Sequence, residues 1–123
     1  MSDRYRQSIH NRLLEIQESI ELILEWSEGM ENMHDFMITP NRVMAFNACV
    51  MRLQVIGEHV GKLLKDDLEP LHAYPEIPWL AIYDMRNLIS HEYGNIDEAI
   101  VISVIKDDLP KLQNVIIKLL KEY

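Results

Sequence analysis

Apolar residues recur along most of this chain at steps of three and four, and nowhere do they alternate with polar residues as a half-buried strand requires. Over residues 3–28, Ile9, Leu13, Ile16, Ile20 and Ile23 draw one apolar stripe, while Glu15, Glu18, Glu21 and Glu25 fall on what should be a solvated face. Gly29 is placed to end that helix. Thr39 followed by Pro40 reads as a cap and a first-turn proline. From there Val43, Phe46, Val50, Leu53, Gly57, Val60 and Leu64 follow a heptad seam, which Met44, Met51 and Val55 widen, so this helix should have more than one neighbour. Gly57 inside it costs roughly 1 kcal/mol relative to alanine, which leaves two readings: a close helix approach or bend, or a tolerated small residue.

The remaining segments follow the same logic. Residues 30–39 carry Met30, Met33, Phe36 and Met37, more apolar than a free linker, and should either cover the end of a bundle or face a partner. Residues 66–78 hold Pro70, Pro75 and Pro78 and predict an irregular connection. Pro78 suits the first turn of a third helix carrying Trp79, Leu80, Ile82, Tyr83 and Met85 forward to Gly94. Asn95 or Asp97 can cap a further helix with Ile100, Val101, Val104 and Ile105 facing inward. Asp107 or Asp108, ahead of Pro110, predicts a restart through Leu112, Val115, Ile116 and Leu119. The expected architecture is an all-α, up-and-down bundle of four to five helices, with residues 1–123 forming one domain.

Residues 86–93, Arg-Asn-Leu-Ile-Ser-His-Glu-Tyr, hold the densest chemistry. Arg86 is a permanent cation, His91 an imidazole able to exchange protons near neutral pH, and Tyr93 a phenol. A phosphodiester beside a ribose 2′-hydroxyl can be cut by a base that takes the hydroxyl proton and a cation that holds the charge growing on phosphate. On a regular helix Arg86 and Ser90 share one stripe, Asn87 and His91 another, and Arg86 and His91 stand about 140° apart. Either the long Arg86 side chain and a frayed helix end bring them to one phosphate, or two copies pool their motifs across a two-fold axis. A plainer reading has Arg86 paired with Asp84 or Glu92, His91 capping the helix end and Tyr93 packing its ring.

Charge narrows the options. Twelve Lys and Arg against twenty Asp and Glu give a net charge of −8, which opposes non-specific nucleic-acid binding, so any RNA contact must rest on a local patch. No His, Cys or carboxylate spacing matches a metal site, and no metal or cofactor is expected; Glu58 and His59 are adjacent and point about 100° apart. His10, His34 and His72 lie outside the motif and read as surface residues. Cys49, the single cysteine among apolar neighbours, reads as a small core residue. Without an apolar leader or a run near the roughly 20 residues that span a bilayer, the expected home is a reducing cytoplasm, away from membranes.

The pattern Arg-x-x-x-x-His-x-Tyr at Arg86, His91 and Tyr93, with Asn87 after the arginine, resembles the HEPN superfamily, and specifically the HepT-like toxin ribonucleases of bacterial and archaeal toxin–antitoxin pairs. The likeness extends to Asp35-Phe36, to Gln54-Val55-Ile56-Gly57-Glu58, to Pro78-Trp79, to Glu92-Tyr93-Gly94-Asn95-Ile96-Asp97 and to Asp108-Leu109-Pro110-Lys111-Leu112, and so covers nearly the whole chain. The resemblance implies a HEPN-like homodimer that cleaves RNA without metal, with Arg86 and His91 catalytic and Asn87 and Ser90 supporting. It also implies a cognate minimal nucleotidyltransferase antitoxin, called MntA in that family, which silences the toxin by attaching AMP to the motif tyrosine, here Tyr93. A second function class stays open: a non-catalytic HEPN module that docks the nucleotidyltransferase or a nucleotide, which the acidic balance favours.

Overall fold

A computed structural model describes residues 2–66, 69–87 and 96–123, and the regular structure among them is helical. Helix α1 spans Asp3–Trp26, the short α2 Met33–Phe36, α3 Pro40–Asp66, the short α4 Glu69–His72 and α5 Trp79–Asp84. A 3₁₀ turn, Met85–Asn87, extends α5. Helix α6, Glu98–Ser103, runs through a π-helical segment, Val104–Asp108, into α7, Leu109–Glu122. This is the all-α bundle the periodicity predicts.

Caps explain most of the boundaries. The Ser2 side chain accepts from the Tyr5 amide at 3.1 Å, Thr39 from Arg42 at 3.2 Å and Asp97 from Ile100 at 3.2 Å, each satisfying an amide that the first helical turn leaves unpaired. Asn32 caps Asp35 at 3.0 Å, and the Asp35 carboxylate accepts in return from the Glu31 amide at 2.7 Å. That bond, the largest cause, holds the Asp35 carboxyl below its ordinary range. Helix α1 stops at Trp26, short of the expected residue 28, because the Ser27 hydroxyl donates to the Ile23 carbonyl at 2.7 Å and Gly29 turns left-handed at φ 78°.

The core lies between α1, α3 and α7. Ile9, Leu13, Ile16, Ile20 and Ile23 of α1 meet Phe46, Cys49, Val50, Leu53, Ile56, Val60 and Leu63 of α3, and Leu109, Leu112, Val115, Ile116 and Leu119 complete it from the C-terminal side. Each such aliphatic side chain contributes about 1.5–3 kcal/mol by leaving water. Helix α1 runs antiparallel to both α3 and α7: the Cys49 thiol in the first half of α3 sits 3.9 Å from the Ile23 carbonyl near the end of α1, and Arg6 at the start of α1 donates to the Glu122 carbonyl at the end of α7. Cys49 is a core residue as expected, and its burial pushes the thiol up to about 12. Phe36 of α2 is buried edge-on against Phe46 with ring centroids 5.4 Å apart, so residues 30–39 do close the bundle end, although Met37 and Ile38 remain exposed.

The structure corrects several details. The chain does not restart at Asp107 or Asp108; the helix continues, and Asp108 makes no side-chain cap. Pro110 has no amide hydrogen, and its ring would clash with the carbonyl four residues back, at Lys106. Five π-helical residues absorb that conflict, with the Leu109 amide donating to the Val104 carbonyl. The buried seam of α3 shifts so that Val43 is 39% exposed and Leu63 is buried instead of Leu64, while Met44 and Met51 point outward. Ile100, expected inside, is also exposed. The connection at 66–78 is not wholly irregular, since it holds α4, and Trp79 fastens it by donating from Nε1 to the Tyr74 carbonyl at 2.9 Å.

Candidate functional site: the Arg86 platform

Two glycines on one face of α3 set the position of the motif. Gly57 and Gly61 stand four residues apart, so both face α5. A β-carbon added at Gly57 would lie 2.9 Å from the Arg86 amide nitrogen and 3.0 Å from the carbonyl oxygens of Ile82 and Tyr83. The α5 backbone therefore rests directly on the α3 backbone, which settles the reading of Gly57 in favour of a close approach. One turn earlier, Gln54 donates from Nε2 to the Arg86 carbonyl at 3.2 Å. Arg86 is thus held by its amide side and its carbonyl side against the same helix. The stretch 54–58 that carries part of the family likeness is the stretch that grips the arginine backbone.

The side chain is held differently. The Arg86 guanidinium carbon lies 4.3 Å from the centroid of the Tyr83 ring, a cation–π contact. Trp79, Ile82 and Met85 bury the inner face of the segment, leaving Arg86 and Asn87 exposed. Among the described residues Arg86 has this aromatic partner and no carboxylate within ion-pair distance, so Asp84 does not neutralise it. Over Met85–Asn87 a 3₁₀ turn also replaces the regular α-helix expected there. Tyr83, in the last turn of α5, precedes Arg86 by three residues, a spacing that makes the two side chains neighbours on one face. Ser90, His91 and Tyr93, with Glu92 and Asn95, lie outside the described residues.

Two clefts can be set aside as phosphate sites. One of about 400 Å³ between α5 and α6 is lined by Ile82, Met85, Ile100 and Val104 with Asp97 and Asp108 at its rim, and carboxylates there repel a phosphate. Another, on α1 and α3, mixes Arg4, Arg12 and His59 with Asp3 and Glu15. His59 is about 200° around α3 from Gly57, away from Arg86. Burial, the largest cause, pushes its imidazole below the ordinary value, with Glu15 opposing and Arg12 reinforcing. Among the described residues no three His, Cys, Asp or Glu side chains gather, and no helix is long and apolar enough to cross a membrane.

Sequence reasoning singles out Arg86 and Asn87 but passes over Gly61, and it gives Tyr83 a place on the third helix without linking it to Arg86. Signals for both exist: Gly57-x-x-x-Gly61 puts two missing side chains on one helical face, and Tyr83 precedes Arg86 by three residues.

The family described as ribonuclease HepT-like matches residues 16–119. A "Probable ribonuclease HepT" of Thermococcus cleftensis is 32% identical over 116 residues, covering 94% of this chain and 99% of its own length. A "Gamma-glutamylcyclotransferase and putative RNase" of Methanocaldococcus jannaschii is 31% identical over 117 residues; the match takes in 95% of this chain but 50% of that protein, so the chain spans half the length of that relative. A "Putative RNase" of the same organism is 27% identical over 101 residues, covering 82% of this chain and 86% of its own. No solved structure matches. The chain belongs to the HepT-like ribonuclease family of the HEPN superfamily, and ribonuclease is the activity that membership supports.

Proposed function

We propose that residues 1–123 form one HEPN-like domain that cleaves RNA without a metal, as the toxin of a toxin–antitoxin pair in the cytoplasm. His91 takes the proton of a ribose 2′-hydroxyl as the 2′-oxygen bonds to phosphorus. The bond to the 5′-oxygen breaks and that oxygen takes up a proton, leaving a 2′,3′-cyclic phosphate and a 5′-hydroxyl. Arg86 holds the charge that builds on the non-bridging oxygens, and Asn87 and Ser90 orient groups by hydrogen bonds. The observation that carries this reading is Arg86 itself: fixed to α3 through Gln54 and Gly57, exposed, and resting on an aromatic ring in a chain with twenty carboxylates.

The active unit is a homodimer with two motifs facing one groove. Exposed Met44 and Met51, 67% and 64% accessible, offer an apolar stripe on α3 about 60–80° around from Gln54, so pairing two copies through it would bring both Arg86 side chains to a shared cleft. A cognate minimal nucleotidyltransferase of the MntA kind is the regulator. It transfers AMP from ATP to the Tyr93 hydroxyl with loss of pyrophosphate, setting a phosphate anion where RNA must pass. The alternative, a non-catalytic module docking the nucleotidyltransferase or a nucleotide, draws its support from the net charge of −8. Incubating the purified chain with RNA in EDTA decides between them. Cleavage yielding cyclic-phosphate ends, blocked by 2′-deoxy substitution at the scissile ribose, is expected; intact RNA, or cleavage that needs an added metal, overturns the proposal.

A further inference from the structure

We infer that Tyr83 is a positioning residue for Arg86, a ring seated in the notch left by Gly61 that aims the guanidinium before RNA arrives. The inference rests on the reading of Arg86 as the phosphate-holding cation. A β-carbon at Gly61 would lie 2.5 Å from Cδ1 and 2.4 Å from Cε1 of Tyr83, closer than carbon atoms approach, so the ring occupies the space a side chain at 61 would fill. The Arg86 guanidinium then lies 4.3 Å from the centre of that ring.

The choice of an aromatic partner matters. A carboxylate would fix an arginine equally well, but it would neutralise the cation and compete with phosphate for its N–H groups. A ring quadrupole attracts the cation and leaves its charge available. An arginine already held in place also loses less rotamer freedom when phosphate docks, so the gain falls on the catalytic step. Tyr83 needs only its ring face for this, which predicts that phenylalanine will serve.

The test is a double-mutant cycle on RNA cleavage, with folding followed by circular dichroism. Tyr83→Leu should lower kcat by roughly 2- to 5-fold, the range for losing one solvent-exposed cation–π contact, and Tyr83→Phe should keep the wild-type rate. In an Arg86→Ala background, Tyr83→Leu should cause no further loss, since a residue acting through Arg86 has nothing left to position. Ring-current shifts on the Arg86 side-chain protons should be present in wild type and Tyr83→Phe and lost in Tyr83→Leu. Gly61→Ala gives a second route if the leucine variant does not fold. Its new methyl meets a side chain that can swing away, and alanine favours helix, so activity and ring-current shift should fall with the fold intact. Tyr83→Leu at wild-type activity, or an equal loss with and without Arg86, overturns this inference alone. Full activity in Arg86→Ala overturns it together with the catalytic reading on which it rests.

Discussion

A β-carbon on Gly57 would stand 2.9 Å from the backbone nitrogen of Arg86, so the arginine of the motif is built onto α3 through a contact that only glycine permits. Gly57→Ala must push three backbone atoms of α5 and its 3₁₀ turn at once. Overpacking costs about 1–3 kcal/mol, and with three backbone atoms to displace the cost lies in the upper part of that range, about 2–3 kcal/mol, against about 1 kcal/mol gained in helix propensity. We expect a net loss of about 1–2 kcal/mol and a melting temperature lower by about 3–8 °C, read by thermal denaturation. An unchanged melting temperature would contradict the close packing.

The His59 imidazole is pushed below its ordinary value near 6.5, first by burial. The folded chain thus binds this proton less readily than the unfolded chain. Well above pH 6.5 both are neutral and the group has no effect; as pH falls through 6.5 toward the lower folded value, only the unfolded state gains the proton and stability drops. His59→Asn should therefore flatten the fall in melting temperature between about pH 7.5 and about pH 5. Parallel curves for wild type and variant would sink the assignment.

Some of this was legible in the residues and some was not. Thr39-Pro40, Asp97 and the stripe of α1 read correctly because caps and a 3.6-residue period act locally. Pro110 reads as a break in the sequence but stands at a π-helical widening, since a sequence shows the conflict with the Lys106 carbonyl but not how the backbone relieves it. The same limit hides the 3₁₀ turn at Met85–Asn87, and the three-residue spacing of Tyr83 and Arg86 makes them neighbours without showing that the guanidinium lies over the ring. The Gly57-x-x-x-Gly61 spacing marks a bare helical face, but only the crossing of α5 shows what fills it.

If each site draws on both subunits, mixing an Arg86→Ala chain with a His91→Ala chain should restore part of the activity that each lacks alone. Met51→Glu should weaken the dimer and the rate together, since it places a charge in the apolar stripe. Sedimentation at micromolar concentration checks the assembly. An active monomer would rule out the shared site.

Tyr93 is proposed as the acceptor of AMP and not as a catalytic base, because a phenol with a pKa near 10 is a poor base at neutral pH. Tyr93→Phe should keep the fold and some nuclease activity yet escape silencing by the cognate nucleotidyltransferase and ATP. Mass spectrometry should find added AMP on wild type and none on the variant. Modification at another residue would displace Tyr93 from the role.

RNA cleavage by wild type, Arg86→Ala and His91→Ala, assayed side by side in EDTA with folding confirmed for each, tests the central claim most directly. Proton transfer by His91 and charge stabilisation by Arg86 predict a loss of at least about 100-fold in each variant and indifference of wild type to the chelator. Variants that cleave as fast as wild type, or a wild type that EDTA silences, would contradict it.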